Sequence, residues 1–157
     1  MLAALIALAV GADGATAQQK SKAMSADAKR GRYLVQIAGC NTATPPGYAP
    51  AAGKVAEKLR LTGDRLGWRG PWGTTYPPNL RLVAQNLSES EFMKRARSEL
   101  RPPMPWFNVR DMADKDVRAI HRYLKHLGPA GEPAPAYVPP EREPSPPYIL
   151  FPPPPPG

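Results

Sequence analysis

Proline is the residue that most limits what this chain can fold into. The 157 residues include 22 prolines, which are concentrated towards the C-terminus. Proline fixes φ and has no backbone N–H, so it is excluded from helix interiors and central strands. We therefore predict that residues 129–157 form an extended, partly polyproline II tail. Five side chains are expected to fix this tail to the rest of the molecule: Tyr137, Tyr148, Ile149, Leu150 and Phe151.

The N-terminus has the pattern of an export signal. Residues 2–10 are an uninterrupted apolar run, and Ala15-Thr16-Ala17 is a small-residue cleavage pattern. This predicts a signal peptide over residues 1–17 and export to the periplasm. No Lys or Arg precedes the run, so we expect the start to lie inside a longer signal peptide. The run is too short to span a bilayer and no later segment is long enough, so no transmembrane anchor is expected.

Charge and cysteine content restrict the kinds of partner. The formal net charge is +8, which suits acidic redox proteins, anionic membranes or nucleic acid. The cationic residues are scattered and not interleaved with aromatics, which argues against a nucleic-acid groove. The single cysteine rules out an intramolecular disulfide framework and leaves a free thiol, an intermolecular bridge or a cofactor attachment.

Helical spacing predicts a first helix over residues 25–38. Tyr33, Leu34 and Ile37 recur at helical intervals and would form its core stripe. Gly39 is then expected to end the helix. Prolines, glycines and aromatics over residues 44–79 predict a long ordered loop without regular structure.

Two later helices have clear boundaries. Ser88 and Glu91 have the spacing of a capping box, which predicts a helix through residues 91–99 with Phe92 and Ala96 on its core face. Residues 114–127 predict the best helix, ended by Gly128 and the proline that follows. Its apolar stripe is Val117, Ile120, Leu124 and Leu127.

Four segments together resemble one known family. They are GRYLVQIAGC at residues 31–40, GPWGTTYPPNL at 70–80, RPPMPWF at 101–107 and DKDVRAIHRYLKHLG at 114–128. In this order and spacing, residues 28–127 resemble the class I cytochrome c domain of small exported bacterial c-type cytochromes, and the AGEPAPAYVPP stretch is similar to tails of some of them. The resemblance implies a mostly α, cytochrome c-like helical domain over residues 25–128, with long ordered loops.

The same resemblance implies a haem c site and assigns its residues. Cys40 takes the first thioether position of C-x-x-C-H, and Met104 takes the position of the distal iron ligand. Ala43 stands at the second thioether position and Thr44 at the proximal histidine position. Alanine forms no thioether, and a neutral hydroxyl is a poor ligand for haem iron. We therefore expect that the chain as written does not form the normal His/Met-ligated covalent haem.

The family also places five residues along its haem crevice: Trp72, Tyr76, Asn79, Arg81 and Trp106. Other interpretations of the site residues remain open. Met104 could fill a gap in an apolar pocket, and Cys40 follows a weak lipoprotein-like pattern. His121 and His126 are expected to be surface or helix-end histidines, because neither occupies the proximal position.

A compensated frameshift, as mutation or sequencing error, is one source of the altered motif. With suitable codons, one deleted and one inserted base would convert Asn-Thr-Cys-His-Thr-Pro-Gly into the Asn-Thr-Ala-Thr-Pro-Pro-Gly of residues 41–47. This would replace Cys and His together and preserve both flanks. Resequencing of the gene tests the error.

Three functions follow as hypotheses. The first is a periplasmic one-electron carrier that transforms no organic substrate and exchanges electrons with a redox protein or a respiratory or dehydrogenase complex. The second is a haem-free pseudo-cytochrome that acts as a structural or partner-docking module. The third is noncovalent binding of haem or a small ligand. A haem-free form must collapse or refill its crevice, admit another ligand or be unstable, because a void of roughly 500 Å³ would cost about 12 kcal/mol, comparable to the whole stability of a domain.

Overall fold

The computed structural model describes residues 23–43, 47–48 and 50–151, with the backbone alone at residues 42 and 43. The predicted signal peptide lies outside these residues. Five helices are present in the described part: α1 (Ala26–Ile37), α2 (Leu80–Asn86), α3 (Glu89–Ala96), α4 (Trp106–Arg110) and α5 (Asp114–Leu127). Three short strands accompany them: β1 (Gly67–Gly70), β2 (Gly73–Thr75) and β3 (Tyr148–Leu150). Among the described residues, no helix has the length and apolar character needed to span a membrane.

The molecule is helix-rich and also contains a small sheet. The prediction of a mostly α fold is therefore correct for the helix content but misses the three strands. Two short 3₁₀ helices, Cys40–Ala43 and Glu57–Leu59, lie between α1 and β1. The core is formed mainly by α1, α2 and α5. Its buried residues are Ala28, Leu34, Val35, Leu61, Ala84, Ala119, Ile120, Tyr123 and Leu124.

The crossing of α1 and α5 is the most extensive contact between elements of the fold. The two helices meet at Gly31, which is buried. A Cβ atom at this position would overlap the carbonyl oxygen of Ala119 and would lie 2.9 Å from Tyr123 Cβ. The absence of a side chain at Gly31 therefore sets how closely the two helix backbones approach.

The start of α1 agrees with the sequence prediction, but its inward face does not. Ser25 caps the helix, and its Oγ accepts a hydrogen bond from Ala28 N at 3.2 Å. Leu34 is buried as expected, whereas Tyr33 and Ile37 are 53% and 60% exposed. The predicted apolar stripe is thus wrong at two of its three positions. The face that packs against α5 is formed by Ala28, Gly31, Leu34 and Val35.

The capping box of α3 is confirmed. Ser88 Oγ accepts a hydrogen bond from Glu91 N at 3.3 Å, and Ser88 N donates to Glu91 Oε2 at 2.8 Å. The helix begins at Glu89 and ends at Ala96, earlier than predicted at both ends. Ala96 is buried and Phe92 packs half-buried against the core, as their spacing indicates.

Helix α5 has the predicted bounds and the predicted face. Val117, Ile120 and Leu124 are buried, and Leu127 packs half-buried against the core. Gly128, with a φ of 71°, ends the helix in a conformation that favours glycine. Helical periodicity was sufficient here because the helix presents a single wide apolar stripe.

The prediction of an irregular loop over residues 44–79 is wrong for part of its length. Strands β1 and β2 form an antiparallel hairpin in which Trp68 pairs with Thr75 and Gly70 with Gly73. Strand β3 then adds to β1 in parallel, with Ile149 opposite Trp68, so the sheet order is β2-β1-β3. Strands β1 and β2, of four and three residues, contain glycine and lack a long apolar alternation, so their sequence resembles a loop.

The tail is extended and lies against the hairpin. Tyr137 Oη donates to the Trp72 carbonyl at 2.8 Å. Thr74 and Val138 exchange backbone hydrogen bonds of 2.7 and 3.0 Å. The Phe151 ring centroid lies 5.5 Å from those of both Trp72 and Trp68. Two of the five expected anchors are corrected, because their backbone pairs with β1 while the side chains face outward: Ile149 is 42% and Leu150 67% exposed.

Candidate functional site

Cys40 lies directly after α1, where Gly39 turns the chain with a φ of 70°. Its side chain is half-buried, packs against the core and forms no disulfide. Burial raises the pKa of the Cys40 thiol above its ordinary value. Because the thiolate is the nucleophile and the metal ligand, Cys40 is a neutral and shielded group at neutral pH.

Asn41 follows Cys40 and is 2% exposed. Its Nδ2 atom donates to the Val35 carbonyl at 3.4 Å, a long hydrogen bond. Its Oδ1 atom is buried and receives no hydrogen bond within the described structure. A buried acceptor without a donor costs about 1–3 kcal/mol, so this end of α1 is less well satisfied than its beginning.

The structure describes only part of positions 43 and 44, where the resemblance expects a cysteine and a histidine. The backbone of Ala43 completes the 3₁₀ helix that begins at Cys40. The side chain of Ala43 and all of Thr44 lie outside the described residues. Their assignment to the second thioether and proximal-ligand positions therefore stays a prediction.

Met104 lies in the turn that precedes α4, and its side chain is 40% exposed. Its carbonyl accepts a hydrogen bond from Trp106 N at 2.8 Å, which helps to start the helix. The alternative role as a gap-filler in an apolar pocket does not match this exposure. The side chain that the resemblance assigns to the haem iron therefore has a large solvent-facing part.

Asn79 and Arg81, two of the crevice-assigned residues, are buried and bind backbone groups. Asn79 Oδ1 accepts from Leu82 N at 3.0 Å and caps α2. Its Nδ2 atom donates to the carbonyls of Ala130 and Glu132 at 2.8 and 3.0 Å. One amide side chain therefore joins the start of α2 to the start of the tail.

The Arg81 guanidinium joins three separate segments. It donates to the Gly128 carbonyl and the Lys58 carbonyl, each at 2.7 Å, and also to the Leu127 carbonyl. Two of these acceptors lie at the C-terminus of α5, where the helix dipole favours a cation. Burial lowers the pKa of Arg81 from its ordinary value, but an arginine guanidinium keeps its charge in proteins, and these carbonyls stabilise that charge.

Two of the three crevice-assigned aromatic residues contact other side chains, and the third lines a cavity. The Trp72 ring contacts Phe151, although its Nε1 atom is buried without an acceptor in the described structure. The Trp106 ring lies under the Arg110 guanidinium, 5.0 Å from ring centroid to Cζ. Tyr76 lines a cavity of about 410 Å³ whose other walls are Arg65 and tail residues.

The two histidines differ in burial, and one prediction about them is wrong. His126 is exposed in the last turn of α5, as expected. His121 is 4% exposed. Its ring lies 5.0 Å from that of Phe92, and its Nε2 is 3.3 Å from the Leu87 carbonyl. The prediction considered only that His121 does not occupy the proximal position. Its spacing, four residues after Val117 and three before Leu124, places it on the buried face of α5.

The residues present do not fit a His/Met-ligated haem held by two thioethers. The chain has one cysteine and two histidines, both on α5. Cys40 can supply one thioether, and Met104 one sulfur ligand. Over residues 23–43, 47–48 and 50–151 no cluster of three or more His, Cys, Asp or Glu could hold a metal ion.

Two side chains that were not predicted from the sequence, Arg97 and Thr75, anchor the segment around Met104. Arg97 donates to the carbonyls of Val109 and Arg110 at 2.9 and 2.6 Å. Thr75 Oγ1 donates to the Pro102 carbonyl at 2.7 Å. These bonds end on backbone carbonyls, which carry no side-chain signature, so residue spacing alone does not reveal them.

Comparison with known proteins adds no relative. No protein-family model, curated protein or solved structure matches this chain.

Proposed function

We propose that this chain is a cytochrome c-like protein of an exported electron-transfer system, and that the polypeptide as written serves that system as a haem-free docking subunit. It holds a partner and transforms no substrate. The partner would be a redox protein or a respiratory or dehydrogenase complex. This joins the family resemblance of residues 28–127 to the absence of a second cysteine and of a histidine at position 44.

The observation that carries the haem-free part is the bonding of Asn79 and Arg81. Both side chains belong to the segments assigned to the haem crevice, yet their polar groups bind carbonyls of the chain itself. The ring of Trp72 likewise has Phe151 of the tail as a neighbour. A haem-free domain needs such internal contacts, because an unfilled haem-sized void would remove most of its stability.

The first test is the intact mass and visible absorbance of protein purified from its native periplasm. We expect the mass of the polypeptide after signal-peptide removal and no Soret band. A mass increase of one haem together with a Soret band would contradict the haem-free proposal. Peptide mapping of residues 40–44 in the same sample also checks the encoded motif.

A restored variant supplies the matched control. Ala43→Cys combined with Thr44→His recreates C-x-x-C-H from Cys40 onwards. In a host that attaches haem c in its periplasm, we expect this double variant to acquire covalent haem and the wild type to acquire none. If the restored variant also stays haem-free while folded, the cytochrome c resemblance itself is wrong.

A haem-bearing electron carrier is the second candidate, and the position of Cys40 favours it. The thiol follows α1 directly and packs against the core, so one thioether would tie a haem to the main helix pair. Haem would supply one-electron exchange between ferrous and ferric iron. Cys40→Ser separates the candidates: it would remove haem from a carrier and leave the mass of a haem-free protein changed only by the substitution.

A further inference from the structure

A cavity lies between the hairpin end of the molecule and the tail, and we name it the tail cavity. Its volume of about 410 Å³ is within the range of small-molecule sites. One wall is formed by Arg65 and Tyr76, and the other by tail residues 135–138 and 142–147. Segments that are far apart in the sequence therefore form this cavity together.

Hydrogen bonds from β1 fix the tail wall of the cavity. Gly67 N donates to the Pro147 carbonyl at 3.0 Å. The Arg69 guanidinium donates to the Arg142 carbonyl at 2.9 Å. Because this wall is already ordered, a ligand that binds in the tail cavity loses little free energy in ordering it.

Four polar side chains that line the tail cavity take no part in holding the fold. Within the described part of the chain they form no hydrogen bond and no ion pair: Arg65, Tyr76, Arg142 and Ser145. Both arginines are exposed, so a small solute can reach them. Single exposed arginines are normal at protein surfaces, but these two come from distant segments and line the same cavity.

The carboxylate of the lining, Glu143, is already bound by other groups. It pairs with Arg69 at 3.3 Å and accepts a hydrogen bond from Tyr148 Oη. Asp64 and Glu141, the sequence neighbours of the two cavity arginines, do not line the cavity. Over residues 23–43, 47–48 and 50–151 neither of these acids forms an ion pair. The positive charge of the two arginines is therefore not balanced by a side chain at the cavity.

The tail cavity thus offers hydrogen-bond donors next to apolar walls. A guanidinium donates and never accepts, and its planar fork matches the oxygens of a carboxylate or a phosphate. The rings of Tyr76 and Tyr137 and the tail prolines form the apolar part of the lining. Apolar walls with a few convergent polar groups are the usual form of a small-ligand site.

We propose that the tail cavity binds a small organic anion. Its acidic group, a carboxylate or a phosphate, contacts Arg65 and Arg142, and its apolar part lies against Tyr76 and the tail prolines. The site does not depend on the proposed function, because Cys40 and Met104 do not line the cavity. Tyr76 is the residue that this site shares with the crevice assignment.

Calorimetric titration of the full, folded chain with three probes tests the site. Benzoate and phenyl phosphate carry the two acidic groups on the same ring, and benzyl alcohol keeps the ring without the charge. Arg65→Gln and Arg142→Gln each remove one proposed contact. Arg95→Gln is the matched control, since it removes the same charge from an exposed arginine of α3 that does not line the cavity. Circular dichroism confirms that each variant is folded.

We expect saturable binding of benzoate or phenyl phosphate, and the tighter of the two identifies the acidic group. The affinity should fall about tenfold or more in Arg65→Gln and in Arg142→Gln, as for the loss of a charge-assisted hydrogen bond. It should stay nearly unchanged in Arg95→Gln.

Three outcomes would overturn the proposal. The first is that neither anion binds at about 10 mM, a concentration that largely fills even a millimolar site. The second is that benzyl alcohol binds as tightly as the anions. The third is that all three arginine variants lose the same affinity. The proposed function is tested by haem content, which these titrations do not measure, so the two proposals fail independently.

Discussion

The helix pair α1–α5 and the hairpin–tail region, made of β1, β2, β3 and residues 129–151, are held together by different kinds of contact. The helix pair depends on close apolar packing around Gly31. The hairpin–tail region depends on hydrogen bonds from a few polar side chains to distant carbonyls, such as those of Asn79. Packing of the first kind is sensitive to added volume, whereas contacts of the second kind are sensitive to the loss of a donor.

The helix crossing provides the largest expected effect. In Gly31→Val, the new side chain would overlap the Ala119 carbonyl, and a backbone carbonyl cannot rotate away. Overpacking typically costs about 1–3 kcal/mol and occasionally more. We expect about 4 kcal/mol of lost unfolding free energy, measured by urea denaturation.

Lys29→Val is the matched control for Gly31→Val. It places the same β-branched residue on the exposed side of α1 and should cost less than about 1 kcal/mol. Similar losses in the two variants would show that the close crossing is not what stabilises the pair.

Arg81 tests the other kind of contact and should give the next largest effect. Arg81→Met keeps much of the side-chain volume but removes the donors to Lys58, Leu127 and Gly128. Hydrogen bonds from charged groups contribute about 1.5–3 kcal/mol, and buried carbonyls left without donors add to the loss. We expect Arg81→Met to lose about 3 kcal/mol of unfolding free energy, measured by urea denaturation. In Arg81→Lys, a single ammonium group replaces the planar guanidinium and its donors. This variant should therefore recover only part of the stability that Arg81→Met loses.

The sequence predicts the bounds of the helices far better than it predicts hydrogen bonds from side chains to distant carbonyls. Periodicity located α5 to the residue, and Ser88 with Glu91 marked the start of α3, because both signals lie within one helix. The buried face of α1 was predicted wrongly, since the apolar pattern favoured Tyr33 over the glycine that the crossing requires. Contacts that end on carbonyls far along the chain leave no local pattern, and for this reason the roles of Asn79 and Arg81 were not foreseen.

The candidate site shows the same division. Cys40 and Met104 were found by their position in a motif, which is a local signal. The exposure of Met104 was not foreseen, because it depends on Thr75, Arg97 and Tyr137 fixing the segment from other elements. A motif names residues in order along the chain, but it does not determine which way a surface turn presents them.

Phe151 and Leu150 are adjacent residues of the tail that differ in burial. Phe151→Ala removes a half-buried ring from between Trp68 and Trp72, whereas Leu150→Ala trims a side chain that is 67% exposed. Two aromatic contacts of this kind suggest a loss of about 1.5 kcal/mol for Phe151→Ala. Leu150→Ala should change little. The tryptophan fluorescence maximum should shift in Phe151→Ala and not in Leu150→Ala. A shift in both variants would contradict this arrangement of the tail.

The smallest expected effect concerns the cap of α3, and it depends on pH. The Ser88 hydroxyl, and then its backbone amide, lower the pKa of Glu91 below the ordinary value of 4.5. The carboxylate is therefore bound more favourably in the folded state. Its contribution is present above about pH 4.5 and is lost as the pH falls through the lower, folded-state pKa.

Glu91→Gln separates the charge of the cap from its geometry. Glutamine can keep the capping-box bond to Ser88 N but does not titrate between pH 3 and 6. Wild type should melt above Glu91→Gln at pH 6, and the difference should shrink towards pH 3. Glu99→Gln, beyond the end of α3 and outside the cap, is the matched control. If the difference in melting temperature between wild type and Glu91→Gln did not change with pH, the carboxylate charge would contribute nothing. The cap would then act only through its hydrogen bonds, which glutamine can also form.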